Sequence, residues 1–221
     1  MRIASSMFTT QFEISDGEIF SLVMENPRLF RSLLEDIYRQ ADGDDGITVF
    51  SENNVPLSLA KASDILDAFT PFNPNTKTML SGIAAMLDKT ANDEAHCMMT
   101  NTLLADIENY VNELCFDMPF RAECGGLSAQ ALIKSLKISV ADDCETLAES
   151  LIQYMTIISS FGKCKIFICV NMLGILDTDE LAAFADEVRK KQLRVLLIDA
   201  YAPENVSGVR RLTIDKDLCE F

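Results

Sequence analysis

Two short apolar runs near the end of the chain constrain the fold most. The segments Lys165–Val170 and Arg194–Ile198 are apolar at every position after the first. A strand that is apolar on both faces must be covered on both sides, as in a parallel sheet between helices. Helical spacing of apolar residues precedes the first run in Cys144–Phe161 and separates the two runs in Thr178–Lys191. The sequence therefore predicts an α/β fold, with Val209–Ile214 as a candidate edge strand.

The beginning of the chain contains a predicted strand, turn and helix. Glu18–Met24 is an apolar run of strand length, and Asn26 and Pro27 follow it. Asparagine is a favoured N-cap, and proline fits the first helical position because its missing N–H is not needed there. Ile47–Phe50 is a second strand candidate after the predicted helix. We therefore expect the chain to open with a β-α-β unit.

The middle of the chain changes to long helical periodicity. Residues 73–137 contain apolar side chains at spacings of three and four, interrupted by the irregular stretch 116–126. The sequence predicts an α/β head, residues 1–72 and 138–221, whose mainly parallel sheet is built from both chain ends. An inserted α-helical leg, residues 73–137, lies between the two parts of the head.

Composition excludes several classes of function. Nineteen Lys and Arg residues against thirty-four Asp and Glu give a net charge of −15, which repels polyanions at long range. The single histidine, His96, excludes zinc sites with several imidazoles. Seven cysteines without a C-x-x-C pair are typical of a reducing compartment and buried thiols, and no run is apolar enough to span a bilayer. We expect a cytoplasmic protein with no membrane association.

The strand-helix junction Met24–Arg28 is where a phosphate site of an α/β fold would lie. It has no glycine and no lysine, and Glu25 would repel a phosphate, so we predict no nucleotide cofactor. Asp199 ends an apolar run as a magnesium-binding aspartate would, although a polar residue at a strand end is a common structural feature. The neighbouring His96 and Cys97 are interpreted as packing rather than a catalytic pair, with Met98 and Met99 beside them in a helix core.

The basic residues are few and grouped. Lys134 and Lys137 lie one helical turn apart, and Lys163 and Lys165 flank the start of a predicted strand. Arg189–Lys191 close a helix, where positive charge compensates the helix dipole. The two lysine pairs suit either phosphate contacts or an ordinary solvated surface. These patterns alone leave the function open.

Several segments resemble those of a known family, both in their residues and in their order along the chain. They are Leu22–Asn26, Leu29–Phe30, Ser63–Leu66, Ala131–Leu136, Lys165–Asn171, Leu176–Leu181 and Leu193–Ile198. Each is weak alone, but they are collinear over nearly the whole chain. In this respect the sequence resembles the small, fourth adaptation protein of subtype II-A CRISPR systems.

The resemblance implies a non-catalytic DNA-binding protein. It implies a head related to P-loop ATPases without a working nucleotide site, a helical leg, and a ring-shaped homotetramer that threads linear double-stranded DNA by its ends. Such a ring assists spacer acquisition beside the CRISPR integrase and the RNA-guided nuclease. The candidate DNA contacts here are Lys134 and Lys137 first, then Lys77, Lys163 and Lys165.

The resemblance also implies calcium at the legs, because members of the family carry a dense run of carboxylates there. This chain offers Glu113, Asp117 and Glu123, with Cys124–Gly126 where further acids are expected. Two alternatives stay open. One is a DNA-free scaffold with a decayed ATPase-like fold that organises other adaptation proteins, and the other is a nucleotide hydrolase with an unrecognised site.

Overall fold

The computed structural model describes residues 1–141, 143–202 and 208–221. The strands in these residues are β1 Arg2–Ser5, β2 Phe12–Glu13, β3 Glu18–Met24, β4 Thr48–Glu52, β5 Val55–Pro56, β6 Ser63–Leu66, β7 Ile166–Val170, β8 Arg194–Asp199 and β9 Arg210–Ile214. The helices are α1 Pro27–Ala41, α2 Leu59–Ala62, α3 Lys77–Ala91, α4 Cys97–Phe116, α5 Ala129–Ser135, α6 Leu147–Ser160 and α7 Thr178–Lys191.

A five-stranded parallel sheet forms the centre of the α/β part of the chain. Its order is β6-β7-β8-β3-β9, and every neighbouring pair is parallel. In its middle, Leu22 of β3 lies opposite Ile198 of β8 on one side and Leu212 of β9 on the other. All five residues of β7 are buried, as expected for a strand covered on both faces. The predicted α/β fold is confirmed, and β9 is the predicted edge strand.

A second sheet is antiparallel, in the order β2-β1-β4-β5. The predicted β-α-β opening is therefore wrong, because β4 pairs with β1, where Phe50 lies opposite Ile3, and not with the parallel sheet. Thr48 and Phe50 are buried while Val49 between them is exposed. This alternation suits an antiparallel sheet with one solvated face. β1 itself was not predicted from the sequence.

Side-chain caps set the ends of the main helices. Asn26 accepts hydrogen bonds from the N–H groups of Arg28 and Leu29 and starts α1 with Pro27 as its first residue, as predicted. Thr146 and Glu149 form a capping box at the start of α6, and Asp177 forms one with Glu180 at the start of α7. These caps satisfy backbone donors that a helix N-terminus otherwise leaves unpaired.

The chain divides into two compact units. The α/β unit comprises residues 1–74 and 142–221, and the helical unit comprises residues 75–141. Within the helical unit, α3 packs against α5, and Met79 and Ala129 are its buried apolar residues among those described. The longest helix, α4, has no buried residue over its twenty positions.

Two expectations about burial are wrong. Met98 and Met99, expected in a helix core, are 82% and 68% exposed, because the partly buried residues of α4, such as Leu104 and Val111, lie on another face of the helix. All seven cysteines are free, but only Cys169 is buried, and Cys219 is exposed. None of the helices in the described residues has the length and apolarity needed to cross a bilayer.

Candidate functional site

Charge is distributed unevenly between the two units. The helical unit, residues 75–141, carries five Lys and Arg residues against eight Asp and Glu. The rest of the chain carries fourteen against twenty-six. The helical unit is therefore much closer to neutral than the α/β unit, and a polyanion approaching it meets less repulsion.

The candidate lysines of the helical unit are exposed and have no ion pair within the part of the chain that the structure describes. Lys77 is the first residue of α3, Lys134 lies in the last turn of α5, and Lys137 follows that helix with a φ of 50°. Among the described residues no carboxylate lies within ion-pair distance of these three lysines, whereas Arg121 is held by Glu123 at 2.6 Å. Their charge is available to a phosphate.

The two candidate lysines of the α/β unit differ from each other. Lys163 is exposed and has no ion pair with any described carboxylate. Lys165 donates to Glu52 at 2.6 Å, and Glu52 also accepts from Arg194 at 2.7 Å. The hydrogen bond from Lys165 and, after it, the one from Arg194 lower the pKa of Glu52 to about 2. Lys165 is therefore engaged in a structural pair between β4 and the parallel sheet.

The basic end of α7 is neutralised locally. Arg189 pairs with Asp186 and Lys190 pairs with Glu187, each at 2.7 Å and each one helical turn apart. These pairs agree with the interpretation of Arg189–Lys191 as part of the helix end rather than a phosphate site.

The three candidate calcium ligands do not form a metal site. Glu113 lies on α4, Asp117 is the C-cap residue of that helix, and Glu123 is paired with Arg121. No group of three or more His, Cys, Asp or Glu side chains that could hold a metal ion occurs in residues 1–141, 143–202 and 208–221. Calcium takes six to eight oxygen ligands, so these three carboxylates alone do not complete its coordination.

The junction after β3 is filled by the protein's own side chain. The Asn26 oxygen accepts from the N–H groups of Arg28 and Leu29 at 3.1 and 3.2 Å, and its amide donates to the Lys216 carbonyl at 3.1 Å. The backbone donors that would bind a phosphate at this helix start are therefore already used.

Asp199, the other nucleotide-site candidate, is buried at the carboxyl end of β8, with 1% of its surface exposed. One carboxylate oxygen accepts the Leu173 N–H at 2.9 Å, and the other has no hydrogen-bond partner in the described residues. Burial raises its pKa to about 7, against the opposing effects of the Leu173 N–H and Arg211. Because the described residues gather no co-ligands around it, Asp199 is interpreted as a buried carboxyl.

Helix α4 presents an apolar seam to solvent. The seam consists of Met99, Leu103, Ile107, Tyr110 and Leu114, which lie three or four positions apart and are between 36% and 68% exposed. Such spacing places all five side chains on one narrow face of a helix. The sequence revealed the periodicity, but it gave no signal that this face is exposed in the described structure.

The chain matches a family described as CRISPR-associated protein (Cas_Csn2) over residues 40–218. It belongs to this family. The resemblance found in the sequence is thereby confirmed, and the protein is CRISPR-associated. No curated protein sequence matches it.

Two solved structures are similar to the chain at 11% sequence identity. One is Stu0660 of Streptococcus thermophilus, with a TM-score of 0.53 over 90% of this chain and 68% of that one. This likeness supports the α/β fold. The other is an ATP-binding ABC transporter protein of Pyrococcus furiosus, with a TM-score of 0.39 over 91% and 88% of the two chains. That score is too low to relate the α/β unit to ATPases.

Proposed function

We propose that this protein assembles into a ring-shaped homotetramer that binds linear double-stranded DNA by its ends, without cutting it, during spacer acquisition. Membership of a CRISPR-associated family supports the biological setting. The observation that carries the proposal is the combination, in one helical unit, of unpaired lysines with an uncovered apolar seam. The CRISPR integrase and the RNA-guided nuclease are its proposed partners in that process.

The apolar seam of α4 supports assembly. Five apolar side chains along one face of a twenty-residue helix remain in water in the single chain. Burying apolar surface stabilises association by roughly 25 cal/mol per Å². Closed symmetry lets every copy cover the seam of another, as it does in most soluble homo-oligomers.

Lys77, Lys134, Lys137 and Lys163 support binding to the DNA backbone. Lysine contacts phosphate as a point charge and carries no sequence information, so binding through these residues is independent of sequence. A net charge of −15 does not prevent such contacts, because exposed charges further apart than about 10 Å are largely screened at moderate salt. Lys165 contributes less than the other candidates because Glu52 already neutralises it.

The strand-helix junction supports a role without nucleotide chemistry. Asn26 occupies the backbone donors at the start of α1, and the segment around it has no phosphate-binding lysine. Binding is therefore passive and needs no hydrolysis.

Binding of blunt linear duplex and of a covalently closed circle of equal length tests the proposal. We expect the linear duplex to shift in electrophoresis and the circle to bind poorly, with no cleavage of either. Equal binding of both would refute threading by ends. Binding of neither at low salt would favour the DNA-free scaffold instead.

A further inference from the structure

A groove lies between α6 and α7 on the surface of the α/β unit. Its volume is about 810 Å³, which is within the range of ligand and peptide sites. Its apolar lining consists of Ala148, Ile152, Ile157, Ala183 and Phe184, of which Ala183 is exposed and Ile157 is partly exposed. No described segment of the chain fills it.

The two helices give the groove a direction. Helix α6 leads into β7 and α7 leads into β8, and these two strands are parallel neighbours. Successive right-handed crossovers of this kind place the helices parallel on one face of the sheet. Both N-termini therefore lie at the same end of the groove.

Charge differs between the two ends. Glu149 lies in the first turn of α6, and Asp179 and Glu180 lie in the first turn of α7. No cationic side chain pairs with these three carboxylates in the described part of the chain. Lys191 closes α7 at the opposite end. Asp186 and Glu187 balance the positive charge of Lys190 and Lys191 there, so the groove is acidic at one end and close to neutral at the other.

We propose that this groove is a docking site for a basic amphipathic helix of another protein. The apolar stripe of that helix packs on Ile157 and Ala183, and its Lys or Arg residues, near its C-terminus, face Glu149, Asp179 and Glu180. An acidic residue near its N-terminus faces Lys191.

The partner helix runs antiparallel to α6 and α7. This direction brings its negative dipole end to the positive ends of both helices, and basic residues are themselves favoured at a helix C-terminus. Helices α6 and α7 have 14 residues each, so the groove matches a partner helix about 21 Å long.

The probe is a synthetic amphipathic helix of about 14 residues, the length of α6 and α7. It carries leucines on one face, lysines in its C-terminal third and a glutamate in its first turn. A control peptide has the same composition with the lysines at the N-terminal end. Fluorescence anisotropy measures binding to the full chain. We expect the first peptide to bind at least about tenfold more tightly than the control, a difference of about 1.4 kcal/mol.

Two neighbouring alanines provide a matched pair of variants. Both are exposed on α7, but Ala183 lines the groove and Ala182 does not. Ala183→Trp should fill the groove and weaken peptide binding at least about tenfold, whereas Ala182→Trp should leave it unchanged. Equal effects of the two variants would overturn the proposal.

Charge reversal tests the acidic end. Asp179→Lys should weaken binding of the first peptide and improve binding of a version with glutamates in place of its lysines. Asp45→Lys makes the same change in net charge in an exposed loop outside the groove and should alter neither affinity.

Three further results would reject the proposal. They are the absence of saturable peptide binding, equal affinity for the two peptides of the same composition, and a change in the oligomeric state of Ala183→Trp, which would make the groove an interface between copies. None of these measurements involves DNA, so they test the docking site independently of the proposed DNA binding.

Discussion

Asn75 and Val140, 65 positions apart, exchange two hydrogen bonds at the base of the helical unit. The Val140 N–H donates to the Asn75 side-chain oxygen at 2.7 Å, and the Asn75 amide donates to the Val140 carbonyl at 3.3 Å. Both residues are partly buried. A single side chain thus ties together the two ends of the inserted segment.

Removal of this link should loosen the helical unit. Asn75→Ala leaves the Val140 N–H and carbonyl without these partners, and an unsatisfied, partly buried polar group costs about 1–3 kcal/mol. Urea unfolding should give a reduced free energy of unfolding for this variant. Asn112→Ala, at an exposed position of α4, is the control and should stay within about 0.5 kcal/mol of wild type.

The seam of α4 should control assembly. Met99→Glu with Tyr110→Glu places two charges on the exposed apolar face, at its two most exposed positions. We expect light scattering to show dissociation to smaller species with an unchanged circular dichroism spectrum. Asn112→Glu, on the opposite face of the same helix, should leave the mass unchanged. A wild-type protein that is itself monomeric at micromolar concentration would contradict the ring.

The helix boundaries that could be predicted from sequence are those set by local side chains. Asn26 and Pro27 mark the start of α1, and the predicted helix Thr178–Lys191 matches α7 because Asp177 and Glu180 cap it within one turn. β4 was assigned to the wrong sheet because its partner strand is decided by pairing with Ile3, far away in the sequence.

In the candidate site too, features set by neighbouring residues could be predicted from the sequence, whereas contacts between residues distant in the sequence could not. Exposure of Lys134 and Lys137 agrees with their place in a polar helix end. The pairing of Lys165 with Glu52 joins residues 113 positions apart, and no local pattern signals it. The exposure of the apolar seam of α4 could not be predicted from the sequence either. Periodicity shows that a helix has an apolar face but not which surface covers it.

Chelation should leave the fold unchanged. Glu113, Asp117 and Glu123 are not gathered into a metal site in the described residues, and Glu123 already pairs with Arg121. We therefore expect the same Tm by scanning calorimetry with calcium and with a chelator. A rise in Tm with calcium that disappears in Glu113→Gln would contradict this expectation. It would support the calcium site that the family resemblance implies.

Burial of Asp199 should produce a pH-dependent loss of stability. Its pKa is raised from 3.8 to about 7, so the folded protein binds this proton more tightly than the unfolded chain. The resulting stability is present below about pH 4 and is lost as pH rises towards 7, at about 1.4 kcal/mol for each unit of pKa difference.

Asp199→Asn tests this linkage, because an amide oxygen can still accept the Leu173 N–H without carrying charge. Urea unfolding between about pH 4 and 8 should show that the variant lacks this loss and is more stable than wild type above pH 7. Asp45→Asn, in an exposed loop, is the control. Parallel stability curves for wild type and Asp199→Asn would show that the buried carboxyl does not titrate in this range.

The lysines of the helical unit should determine the salt dependence of DNA binding. Each phosphate neutralised in a duplex contributes about 0.9 to the slope of log affinity against log salt concentration. Lys134→Ala with Lys137→Ala should therefore weaken end binding and flatten that slope equally on unrelated sequences. Alanine keeps the β-carbon at Lys137, so the substitution does not alter backbone strain at its φ of 50°. Because the change is repeated in every subunit of a ring, its effect should exceed that of a single contact.

The matched control is Arg189→Ala with Lys190→Ala, which removes the same charge from the end of α7, where Arg189 pairs with Asp186 and Lys190 with Glu187. This variant should retain the salt slope of the wild type, since a cationic side chain already paired with a carboxylate adds little positive charge for a phosphate. An equal loss of affinity in both double variants would mean that net charge, rather than the helical unit, governs binding. A larger loss in the control would move the DNA contact to the α/β unit.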